Sequence, residues 1–257
     1  YRGATQFVNR KASTEMPDYG RMVVQDYKYF LGDIKRDFVS GGSTILEIGT
    51  GNSLDVALEL ASAGNNVTTL DRFQNVTNFS HGVQAFCELN EITFDIISPV
   101  SAHIGPGSIT YIVQALETHN IDLIKKFDLI LSRATLEHVQ DPELCVQNIA
   151  LYSKRKAIHC HEIDHRDHGI FSHFKIFNNL AFHNINDDTW SDMIERYPGI
   201  PNKVNGRQFY EIFRTADFNI VSAFCKDDAD SQSSKKVDYC DLYAAPVTVL
   251  VMDMKAH

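Results

Sequence analysis

Glu47, Gly49, Gly51 and Asp71 are residue types whose spacing could hold a cofactor. The stretch Ile45-Leu46-Glu47-Ile48-Gly49-Thr50-Gly51-Asn52 passes from an apolar run into a glycine pair and then into a helix-like segment. Strand, glycine turn and helix start let backbone approach a ligand closely and aim N–H groups at it. Asp71 follows Gly51 by twenty residues. At the end of a second strand, its carboxylate can accept hydrogen bonds from both ribose hydroxyls. These features fit two cofactors. A dinucleotide calls for G-x-G-x-x-G, and the third glycine position is Leu54. Glu47 is poorly placed beside a pyrophosphate but suits a ligand carrying an ammonium and a sulfonium.

A second constellation is His159-Cys160-His161-Glu162-Ile163-Asp164-His165-Arg166-Asp167-His168-Gly169, with four histidines and three carboxylates in eleven residues. If 157–162 is a strand, His159 and His161 share one face and Cys160 takes the other. His161, Asp164, His165 and His168 then lie at or just past its carboxyl end. Imidazole beside a carboxylate is the usual pairing for a general base near neutral pH. The same residue types could ligate a metal or form a structural hydrogen-bond network, but no zinc-site spacing is present. Glu137-His138 is a third candidate, balanced against a packing role for His138.

The elements that must position these groups follow from periodicity. Residues 1–20 read as a polar arm, and apolar residues at helical spacing predict a helix over 21–39 that ends at Gly41-Gly42. Strand 44–48, helix 53–63 and strand 66–70 make one βαβ unit, which favours a parallel sheet. Further on, the pattern predicts a helix at 83–89, a strand at 92–97 and a helix-like stretch at 109–118. A strand at 127–132 follows, then a helix from Pro142 to about 153, with Asp141 as its cap. Strand 157–162 precedes a long polar, aromatic-rich passage at 163–206, read as an insertion. Helix 208–215, strand 218–225, a linker at 227–236 and strand 247–254 complete the chain.

Leu46-Glu47-Ile48-Gly49-Thr50-Gly51 resembles motif I of the class I S-adenosylmethionine (SAM)-dependent methyltransferases. Phe127 to Val139, followed by Asp141-Pro142, is similar to their fourth-strand motif in the small-molecule, UbiE/UbiG-like (type 11) branch. The order and separation of about 80 residues also match, and the resemblance covers about residues 40–160. It implies an α/β, Rossmann-like, seven-stranded, mostly parallel sheet with an antiparallel last strand and helices on both faces. It also places the insertion after the fifth strand. On this resemblance Glu47, Gly49, Thr50, Gly51 and Asn52 line the methionine end and Asp71 holds the ribose. Arg72 and Phe73 flank the adenine, and Ser132 and Arg133 meet the methionine moiety. The third glycine common in motif I is absent, since Asn52-Ser53-Leu54-Asp55 follows. Ubiquinone-pathway O-methyltransferases carry Glu-x-x-Glu-His at the fourth strand, associated with a divalent metal. Here Glu137 and His138 remain but Ala134 replaces the first Glu, so no metal ligands are assigned.

The expectation is thus a methyltransferase acting on an oxygen, or less favourably a nitrogen, of a small polar metabolite, sugar or natural-product intermediate. His161, His165, Asp164 and His138 are its candidate catalytic groups. Residues 1–40 form an arm and lid helix, with Tyr27 and Tyr29 closing over the cofactor. Residues 41–257 form the SAM-binding domain, and the insertion at about 163–206 supplies an acceptor pocket with Phe171, Phe174, Phe177, Phe182, Trp190 and Tyr197. The rivals are an NAD-dependent oxidoreductase and a non-catalytic SAM-binding module. The net charge of -9 and pI near 5.6 count against nucleic-acid substrates. With 257 residues at 44% hydrophobic content, a large core can form. No apolar run approaches the roughly 18 residues of a membrane span. Five scattered cysteines without a CxxC pair read as free thiols of a reducing cytoplasm. A homodimer is compatible with these features.

Overall fold

The computed structural model describes residues 18–34, 40–168, 180–196, 200–226 and 234–255. The expected arm, most of the aromatic insertion (Phe171, Phe174, Phe177 and Tyr197) and much of the 227–236 linker fall outside these ranges.

Helix α1 spans Tyr19–Phe30, β1 Thr44–Ile48, α2 Asp55–Ser62, β2 Asn66–Asp71 and α3 Phe79–Leu89. Strands β3 (Phe94–Ser98), β4 (Ser101–Ile104), β5 (Gly107–Val113) and β6 (Phe127–Arg133) follow, then α4 (Pro142–Tyr152) and β7 (Ser153–Asp164). The chain continues through α5 (Asp187–Arg196), α6 (Gly206–Thr215), β8 (Phe218–Lys226), β9 (Ser234–Lys236) and β10 (Val247–Met254). The strands form one mixed sheet in the order β3-β4-β5-β2-β1-β6-β7-β10-β8-β9. Neighbours from β5 to β7 pair in parallel, and β10 runs antiparallel between β7 and β8.

The expected seven strands are the run from β5 to β8, but among the described residues the sheet has ten. The excess comes from the antiparallel pair β3–β4 beyond β5, and from β9 outside β8. One cause corrects a second expectation: 109–118 is not helical. Gly107-Ser108-Ile109-Thr110-Tyr111-Ile112-Val113 alternates between buried and half-buried positions and pairs with β2 along its length. Its β-branched residues favour that period-two surface. Gly105 and Pro106 turn the chain tightly between β4 and β5 instead of opening a helix.

Alternation along the strands divides the core. One face packs Ile45, Leu129, Leu131, Cys160 and Val249 against α1, α2 and α3; the other packs Leu46, Ile130, Ile163 and Leu250 against α4 and α6. Helices thus cover both faces, as expected. Helix α4 starts as predicted, with Pro142 at its first turn and the Asp141 carboxylate accepting from the Leu144 N–H at 2.9 Å. Helix α6 opens on a capping box between Asn205 and Gln208. Helix α1 stops at Phe30, short of the predicted end at 39, in a tight turn over Leu31–Asp33. Among the described residues Cys87, Cys145 and Cys160 are buried free thiols. No helix among the described residues is long and apolar enough to cross a membrane.

Candidate cofactor and acceptor site

The glycine turn leaves β1 at the centre of the sheet, where the chain crosses from β1 to α2 and must reverse tightly. Gly49 (φ 83°) and Gly51 (φ 64°) both take the left-handed conformation. The two glycines serve different ends. A Cβ on Gly49 would collide with the Thr135 side chain, whose hydroxyl is anchored on the Ile48 and Arg133 carbonyls. A Cβ on Gly51 would meet nothing within 4 Å. Gly49 therefore locks the turns after β1 and β6 together, while Gly51 keeps open the space in which a ligand can lie. Gly49→Ala is expected to cost at least about 2 kcal/mol through its backbone conformation and the Thr135 contact. Urea denaturation would measure the loss, and Thr135→Ala in the same chain should recover the steric part.

Asp71 ends β2 as anticipated. Its carboxylate accepts from the Gly51 and Phe73 N–H groups, each at 2.9 Å. Burial raises its pKa, and those two hydrogen bonds oppose the rise. Each oxygen retains a lone pair for a further donor. Phe73 is 52% exposed beside it. Arg72 is instead engaged by Glu117 at 3.0 Å. Thr50 is buried with its hydroxyl against that of Thr69, and Asn52 lies exposed on the turn. Glu47 points into the α1 face of the sheet, where one of its carboxyl oxygens has no hydrogen-bond partner. Burial pushes its pKa up to about 8. The donor set fits SAM: a buried carboxyl short of a partner for a cationic group, an open glycine path, and a carboxylate for a ribose. Asp55 opens α2, and a carboxylate in that first turn opposes a diphosphate there.

The last turns of β6, β7 and β8 meet α1 in a buried charge network that the sequence reading missed, apart from Arg133. The Arg133 guanidinium donates to Asp26 of α1 at 2.8 Å and lies 3.4 Å from Glu162. Lys226, 2% exposed, donates to the other Glu162 oxygen at 3.1 Å and sits 3.9 Å from Asp26. Tyr27 is buried among Cys160, Glu47, Arg133 and Glu162, and burial raises its hydroxyl pKa. Tyr29 is exposed. Parity was the available signal: Cys160 and Glu162 lie on the strand face opposite His159 and His161.

His159 and His161 do share a face, but it is the α6 face. His161 stacks on Phe213 with 5.1 Å between ring centres, and its Nδ1 is 2.7 Å from the Ser132 hydroxyl. Ser132 therefore turns its side chain away from α1. Burial drops the His161 pKa to about 3. His159 packs edge-on against Phe218, and its pKa is lowered well below the ordinary value by the same cause. His165 has both nitrogens engaged. Nδ1–H donates to the Val204 carbonyl at 3.0 Å, so Nε2, 2.8 Å from Oγ1 of Thr248, accepts a hydrogen bond from that hydroxyl. Burial holds its pKa at about 4.

The carboxyl ends of β6 and β7 bring a different group together. Glu137 and His138 sit on the helical turn Leu136–His138 after β6, while Asp164 and His168 come from the end of β7. Burial would raise Asp164, but Arg166, donating at 2.7 and 2.6 Å, holds its carboxyl below the usual range. The His138 and His168 rings are 5.0 Å apart. Asn202, from the passage before α6, fixes the turn by donating its side-chain amide to the Leu136 and Val139 carbonyls at 2.9 and 3.1 Å. His183 ties the same passage to β7 through the His165 carbonyl. Phe182 and Trp190 pack with Ile200 in a small cluster of their own.

A family model described as a methyltransferase domain matches residues 23–223. No curated protein matches the chain in sequence. Among solved structures, a SAM-dependent methyltransferase from Methanosarcina mazei is similar at TM-score 0.53 and 16% identity, over 86% of this chain and 96% of that one. Magnesium protoporphyrin IX methyltransferase from Synechocystis PCC 6803, solved with bound S-adenosylhomocysteine (SAH), is similar at TM-score 0.54 and 12% identity, over 92% and 83%.

Proposed function

This chain belongs to the methyltransferase-domain family as a SAM-dependent enzyme, and from that premise we propose that it methylates an oxygen of a small polar metabolite, such as a sugar or natural-product intermediate. The observation that carries the reading is the open space at Gly51, between the partner-short carboxyl of Glu47 and the carboxylate of Asp71. SAM supplies an electrophilic methyl on a sulfonium, and its S–C bond breaks as the acceptor's O–C bond forms, leaving SAH and the acceptor's proton.

The chain's part is to bind, orient and take that proton. Glu47 faces the cationic amino-acid end and Asp71 the ribose. The exposed Phe73 covers the adenine. Helix α1, tied down by Asp26 and Tyr27, is the lid, and positioning of this kind can supply most of the acceleration. Of the four residues expected to serve the acceptor, His138 and Asp164 stand at the ends of β6 and β7, where the acceptor's oxygen is handled. His161 and His165 are positioning residues that brace β7 from its α6 side. The passage before α6, pinned by Asn202 and His183, forms the acceptor's cover.

Two measurements test this reading. Calorimetric titration with SAM should give saturable 1:1 binding; no affinity at millimolar concentration overturns it. SAH release should then be followed over a panel of hydroxylated metabolites. With whichever compound turns over, His138→Ala should lower kcat by at least about tenfold at unchanged SAM affinity. An unchanged kcat would remove His138 from the site.

A further inference from the structure

Glu137 is only 1% exposed, and no side chain hydrogen-bonds either of its carboxylate oxygens, which meet only the backbone N–H groups of Glu137 and Asp164, at poor geometry. A buried carboxylate in that state is costly, and a bound cation is one way of offsetting it. The donors around it suit one. His168 Nε2 lies 3.9 Å from Glu137 Oε1, and one ligand atom from each of Glu137, His138 and His168 falls within 4.8 Å of the others. Asp164 Oδ2 is also 3.9 Å from His168 Nε2 but is already held by Arg166, so it adds negative charge without serving as a ligand.

The geometry points to a divalent transition-metal site made by Glu137, His138 and His168. Two imidazoles and one carboxylate select Zn²⁺, Co²⁺ or Mn²⁺ over Ca²⁺ and Mg²⁺. Three protein ligands also leave coordination positions for water or an acceptor oxygen. The three residues grade from buried through half-buried to exposed, which gives an ion a path from solvent. No ligand comes from position 134, which is Ala; the third comes instead from beyond β7, where sequence spacing gives no signature. Metal bonds of about 2.0–2.2 Å require the ligand atoms to close in by roughly 1 Å, a movement open to the His168 side chain, which is 25% exposed. The Asn202 clamp on Leu136 and Val139 holds the other two ligands in place. The use of the ion rests on the methyl-transfer reading: positive charge at this point favours the acceptor's hydroxyl as its anion, which is the form that attacks a methyl group.

The test is calorimetric titration of the chelator-treated full chain with ZnCl₂, and visible spectroscopy with CoCl₂. One Zn²⁺ per chain is expected, with Co²⁺ bands characteristic of nitrogen and oxygen ligation. His168→Ala and Glu137→Gln should each weaken Zn²⁺ by at least about tenfold. His103→Ala, on the distant β4, should leave it unchanged. Absence of saturable binding, or binding indifferent to His168→Ala, overturns the site; because His168 is exposed, that variant stays informative even if Glu137→Gln fails to fold. SAM titrated into the same samples separates the two readings. SAM binding without Zn²⁺ binding overturns the metal site alone, and Zn²⁺ binding without SAM overturns the methyl-transfer reading alone.

Discussion

Arg133→Met is expected to lower the unfolding free energy by about 3–5 kcal/mol at neutral pH, because it removes one member of a buried charge set and leaves the others in place. The guanidinium is 11% exposed and sits between Asp26 and Glu162. Without it, two carboxylates share the single Lys226 ammonium in a nearly dry space. Methionine matches the length of the aliphatic stem, so little of the loss is packing. Equilibrium urea unfolding would measure it. The double variant Arg133→Met, Glu162→Gln should recover a good part, since the stranded charge goes as well. Helix α1 is bound through Asp26, so amide exchange within Tyr19–Phe30 should quicken more than in α4. A loss below about 1 kcal/mol would mean that the network is worth no more than an exposed pair.

The second large effect belongs to Glu47 and depends on pH. Its pKa in the folded chain is about 8, against an ordinary 4.5. The native state therefore keeps a proton that the unfolded chain releases above pH 4.5, so stability falls as pH rises from 4.5 to 8 and levels off beyond. Over that window the loss is at most about 5 kcal/mol. Glu47→Gln cannot lose the proton. Its stability relative to the parent should be near zero at pH 4.5 and grow with pH to a plateau above 8. Denaturation at pH 5, 7 and 8.5 would show the trend, and a flat difference would refute it. The same substitution should weaken SAM. When a cation binds beside Glu47 the carboxyl ionises, so the parent should release close to one proton per SAM at pH 7. Calorimetry in buffers of different ionisation enthalpy would register that proton, and Glu47→Gln should release none.

The sequence disclosed the glycine-turn side of the sheet far better than the ends of β6 and β7, for a local reason. The glycine turn, Asp71 and the Phe127–Arg133 strand are each defined within a few residues by backbone requirements. The alternation of His159 and His161 was equally local. Which face they join depends on where Phe213 of α6 packs, and nothing near residue 160 encodes that. Glu137 is a similar case: its burial depends on Asn202, more than sixty residues away, pinning the turn from outside. The strand at Gly107–Val113 was legible in its β-branched alternation, but Pro106-Gly107 resembled a helix start as much as a hairpin corner.

The placement of β10 has a consequence for synthesis. It is made after both strands it separates, pairing with β7 on one side and β8 on the other. A ribosome therefore releases β7 and β8 with facing edges open, and neither can close the sheet on its own. Until β10 emerges, His161, Cys160 and the buried lysine of β8 lie along unfilled hydrogen-bonding rows, the kind that recruit stray strands. A nascent chain halted before residue 247 should be a chaperone substrate rather than a smaller enzyme.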